Sequence, residues 1–93
     1  MDRTEQIKQD IILLAGKVFN EEIPIKNICV SRAGKLNPYN RTSCALYESR
    51  LFSNSLQELA CGGMSKNTAG ALNELLKKIK DIRKQQLRNR IEP

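Results

Sequence analysis

Apolar residues at Ile7, Ile11, Leu14 and Val18 recur at the three-to-four-residue interval of one helical face, and Ile12, Leu13, Ala15 and Phe19 widen it. Asp2 stands three residues before Glu5, the spacing of a capping box, and Thr4 offers a second cap. The pattern predicts a first helix that other elements must cover. A second run, Leu72, Leu75, Leu76, Ile79 and Ile82, predicts a long C-terminal helix from Ser65 to Ile91, with Ser65 as N-cap and Gly62-Gly63 separating it from what precedes. Between the two, the pattern weakens. Ile23, Ile25, Ile28 and Val30 are β-branched, but Pro24 and Asn27 interrupt them, which suits a short extended segment or a helical turn better than a sheet strand. Gly34, Asn37-Pro38 and Asn40 make residues 31–42 a loop. Residues 44–52, with Ala45, Leu46 and Phe52 facing inward, read as a third helix capped by Thr42 or Ser43. Residues 55–60 read as a short fourth helix opened by Ser55 and Glu58 and ended at Gly62.

These elements predict one all-α domain over residues 1–93, a small bundle of about four helices whose long basic C-terminal helix ends in a projecting arm at 83–93. Hydrophobic residues are 40% of the chain, but only two Tyr and two Phe are present, so the core must be aliphatic and small. The first run is too short for a membrane span or a signal peptide, and the reading is of a cytoplasmic protein without a membrane partner.

Charge changes the picture more than composition does. Residues 1–64 carry 8 basic and 7 acidic side chains, whereas residues 65–93 carry 8 basic and 3 acidic. On an ideal helix Lys66, Lys77, Lys80, Lys84 and Arg88 fall within an arc of roughly 80°. A basic segment on a nearly neutral body favours a polyanionic partner. Arg32, Lys35 and Arg41 surround Tyr39 on the loop, a composition that holds phosphates while a ring stacks.

The segment from Leu56 to Leu72 partly resembles a DNA-binding helix-turn-helix: Gly63, Met64 and Ser65 supply the turn glycine, apolar residue and serine, and Leu72 falls where the second helix packs inward. It departs from that motif at Leu59, where a small residue is usual, at Gly62, and at Gly70 and Ala71, from which base-reading side chains would project. The resemblance implies that Ser65, Lys66, Asn67 and Thr68 lie at the mouth of a groove, with Lys77, Lys80, Lys84 and Arg88 along the phosphate backbone. The function expected is that of a small DNA-binding regulatory protein, dimeric, without a cofactor. The competing expectation is a helical adaptor or inhibitor that docks on a regulatory protein through Leu72, Leu75, Ile79 and Ile82, with Ala69, Gly70 and Ala71 permitting close approach.

Catalysis and metal binding have little to stand on. The chain has no histidine and no CxxC pair, and Cys29, Cys44 and Cys61 are widely spaced. Ser43, Cys44, Tyr47 and Glu48 show no nucleophile–base arrangement. The chain reads as a binding protein and not an enzyme.

Overall fold

The computed structural model describes residues 3–35 and 45–91. Helix α1 (Arg3–Phe19) leads through a 3-10 turn (Ile25–Asn27) into strand β1 (Ile28–Lys35), then β2 (Ala45–Phe52), β3 (Glu58–Cys61) and helix α2 (Thr68–Ile91). The three strands form one antiparallel sheet in the order β1-β2-β3. The expected all-α bundle is therefore corrected to an α+β fold, and the partial helix-turn-helix is absent: residues 58–60, placed in its first helix, belong to strand β3.

The first helix has the predicted face, with Ile7, Ile11, Ala15 and Val18 buried. The brief turn at 25–27 also falls where a helical turn was one of two expectations. The described residues 28–35 and 45–61 differ, and the remainder of the expected loop, 36–42, lies outside the described residues. Residues 45–52 alternate across the sheet: Ser49 and Leu51 are buried, Arg50 is exposed, and Glu48 and Arg50 pair on the outer face. A buried serine disguised that alternation. Ser49 is tolerated inside because its hydroxyl donates to the Ala71 carbonyl of α2 at 2.7 Å, and a buried hydroxyl with a partner is no longer a liability.

Residues 53–57, read as a helix start, form the β2–β3 turn. The Ser53 N–H donates to the Gln57 carbonyl, the Leu56 N–H to the Ser53 carbonyl, and the Gln57 N–H to Ser53 Oγ. Leu56 takes φ 64° there, a left-handed conformation that a helix would not use. The segment after α1 is fastened to this turn, since Asn54 donates through its backbone to Glu21 Oε1 and through its amide to the Glu22 carbonyl. Asn27 likewise donates to the carbonyls of Phe52 and Ser53.

Both helices cover one face of the sheet. Ile11, Leu51, Leu72, Leu75 and Ile79 are fully buried, with Ile7, Val18, Ile23, Ile28 and Ala60 around them. Burying a Leu or Ile of this kind contributes about 1.5–3 kcal/mol each. Gly62 lets α2 sit directly on the end of β3, because a Cβ there would lie 2.5 Å from the Leu75 backbone nitrogen. The helices run broadly in the same direction: Leu76 and Lys80 line a groove with Asp10, Leu13, Leu14 and Lys17, and further along Gln86 Nε2 donates to the Val18 carbonyl.

Candidate nucleic-acid interface

The cationic residues separate into two groups once the chain is folded. The first group gathers where β1, β2 and the start of α2 meet. Arg32 is the register partner of Tyr47 in the β1–β2 ladder. Tyr47 in turn exchanges two backbone hydrogen bonds with Ser65, its N–H donating to the Ser65 carbonyl at 2.7 Å and its carbonyl accepting from Ser65 N–H at 2.9 Å. Arg32, Tyr47 and Ser65 therefore form one row across the sheet. With neighbouring strands about 4.8 Å apart, the outer two lie on the order of 10 Å from each other. Alternation places Arg32 and Tyr47 on the same face as Ser49 and Leu51, the face on which α2 lies.

The start of α2 is fixed by two polar residues. Asn67, not Ser65, is the N-cap: its Oδ1 accepts the Gly70 N–H at 2.6 Å, and its carbonyl accepts the Ala71 N–H at 3.0 Å. Ser65 folds over the same turn, and a Cβ on Gly70 would stand 2.0 Å from its Oγ. Gly70 is thus small because the Ser65 and Asn67 side chains occupy the space beside it, whereas Ala71 is fully buried with its carbonyl against Ser49 of β2. Lys66 precedes the helix, so it leaves the arc that ideal helical geometry assigned to it. Lys66, Asn67, Thr68 and Arg32 are all exposed. Lys35 belongs to the last position of β1, whereas Arg41 and Tyr39 lie outside the described residues.

The second group is the ridge of Lys77, Lys80, Lys84 and Arg88, all exposed on α2. From Lys84 to Asn89 every residue is exposed. None of the ridge cations, nor Arg32 or Lys66, has an ion-pair partner among the described residues. The residues considered for a protein interface are occupied elsewhere: Leu72, Leu75 and Ile79 are spent in the chain's own core, and Ile82 is half-buried against it.

The outer face of the sheet has a different character. Arg50 donates from Nε to Glu48 Oε1 at 3.0 Å and approaches Glu58 at 3.4 Å. The hydrogen bond and charge of Glu48, with Glu58 adding to them, hold the Arg50 guanidinium above its ordinary pKa. The Cys61 thiol donates to Glu48 Oε2 at 3.8 Å. Glu48 and Glu58 thus neutralise this arginine on the outer face.

Among the described residues there is no group of three or more metal-ligating side chains and no helix long and apolar enough to cross a membrane. Comparison with protein-family models, curated proteins and solved structures finds no match. Sequence reasoning singled out Arg32 and the residues at 65–68 as separate features. The row through Tyr47 that joins them was hidden, because its bridge to Ser65 links positions 18 residues apart.

Proposed function

We propose that this chain is a nucleic-acid-binding module that holds a double helix by its backbone, with duplex RNA the favoured form. One observation carries the reading: the Arg32–Tyr47–Ser65 row brings a strand cation to the exposed Lys66 and to the N-terminal turn of α2. Backbone N–H groups at a helix start, together with lysine and arginine, are the chemistry that binds phosphate. A regulatory protein selecting a DNA site needs side chains at base edges in the major groove. Here the first helical turn offers Thr68 as its one exposed side chain, since Ala69 and Gly70 are small and half-buried and Ala71 is buried, and Asn67 Oδ1 is already engaged as a cap. Duplex DNA can be held through its phosphates without base reading as well, whereas duplex RNA has no other mode open to side chains in its major groove, which is too deep and narrow, and is bound by its shape and backbone.

Fluorescence anisotropy with a labelled RNA duplex of about 16 base pairs, the same sequence as duplex DNA, and the unpaired RNA strand tests this. The RNA duplex should bind irrespective of sequence and weaken tenfold or more between about 50 and 200 mM salt. The double variant R32Q/K66Q should bind several-fold more weakly, lower the salt slope by about 2, and melt at the wild-type temperature. Absence of binding to every probe at low salt, or indifference to R32Q/K66Q, would reject the reading. Tighter binding of the DNA duplex would return the assignment to DNA.

A further inference from the structure

We infer that the distal part of α2, together with Lys17 of α1, is a second phosphate-binding surface engaged by the same duplex as the sheet-end cluster. The inference rests on the nucleic-acid reading above and adds to it where, and over what length, the ligand is held. Lys17 and Lys80 come from separate helices yet line one shallow groove of about 270 Å³ between α1 and α2. Like charges brought together by folding repel, and an anion bound between them removes that cost. Asp10 lines the same groove and offsets part of this charge, which leaves a net of one positive charge among the lining residues. Asp10, on the same groove, accepts a hydrogen bond from Gln6 at 3.2 Å, and Asp81 forms no ion pair among the described residues. Lys84 and Arg88 follow Lys80 at four-residue intervals, about 6 Å per step along the helix axis. They lie past Ile79, the last fully buried residue among those of α2 whose side chains are described, in a stretch where Gln86 reaches back to Val18.

The separation gives the inference its numerical content. At about 1.5 Å per residue, Lys80 stands roughly 20 Å along α2 from its N-cap and Arg88 roughly 30 Å. A single free phosphate cannot reach both surfaces, and neither can an RNA stem of about 5 base pairs, which at about 3.4 Å per pair is near 17 Å. A duplex of about 16 base pairs can.

The test measures the full chain against an RNA hairpin with a duplex stem of about 5 base pairs and an RNA duplex of about 16, with wild type and the triple variant K17Q/K80Q/K84Q, folding being checked by thermal melting. The three side chains are exposed, so the variant should melt like wild type. Wild type should bind the longer duplex at least tenfold more tightly than the shorter. The triple variant should keep wild-type affinity for the short duplex, lose the gain from length, and show a salt slope lower by up to about 3 on the long one. If the variant retains the full length preference, or weakens equally on both lengths, the second surface is rejected while the sheet-end site stands. If wild type binds neither duplex, both fall.

Discussion

A methyl group at position 70 would meet Ser65 Oγ at 2.0 Å and Asn67 Oδ1 at 3.0 Å. Alanine ordinarily gains about 1 kcal/mol over glycine inside a helix, but here it must displace the two side chains that fix the start of α2. Overpacking of this kind costs about 1–3 kcal/mol. Gly70→Ala should therefore lower stability by about 1 kcal/mol or more in chemical denaturation. On a Ser65→Gly background the same change should cost less or become stabilising, and equal effects in both backgrounds would show that the clash is not the cause. Gly62→Ala should be more severe, about 3 kcal/mol, because the obstacle is the Leu75 backbone 2.5 Å away and no rotamer relieves it. Ser49→Ala should cost about 0.5–1.5 kcal/mol by removing the buried hydrogen bond to the Ala71 carbonyl, read from the unfolding midpoint.

At the scale of elements, α2 is two helices' worth of behaviour in one. Its first half is core: Leu75→Ala should cost about 2–5 kcal/mol by opening a cavity between sheet and helix. Its second half is surface, and Leu87→Ala should change stability by less than about 0.5 kcal/mol. Both values can be read from one set of urea titrations, and comparable losses would contradict this division. The two long helices were legible because their apolar residues repeat over many turns. The strands were not, for reasons that compound. Ser49 is buried and polar, so residues 45–52 did not read as alternating, and Ala45, Leu46 and Phe52 could be fitted to a helix. With β2 taken as helix, Ile28–Lys35 had nothing to pair with, and Gly34 made its second half look like loop. Ser55 and Glu58 imitate a capping box, although the local bonds belong to a strand turn around Ser53. Of the candidate site, the cations were visible one by one. Their grouping was not, because only the sheet register and the Tyr47–Ser65 bridge create it.

For the molecule as a whole, the direction of the helices has a consequence of its own. Each helix carries a macrodipole equivalent to roughly half a positive charge at its N-terminus and half a negative charge at its C-terminus. In an antiparallel pair these would cancel end against end. Here α1 and α2 share a direction, so the two positive poles lie toward one end of the molecule, the end that also holds Arg32 and Lys66. The opposite poles fall where Lys84 and Arg88 stand, and those side chains offset them. The backbone thus gives the sheet end an attraction for anions that exchanging lysine and arginine for glutamine cannot remove, and only salt can screen it.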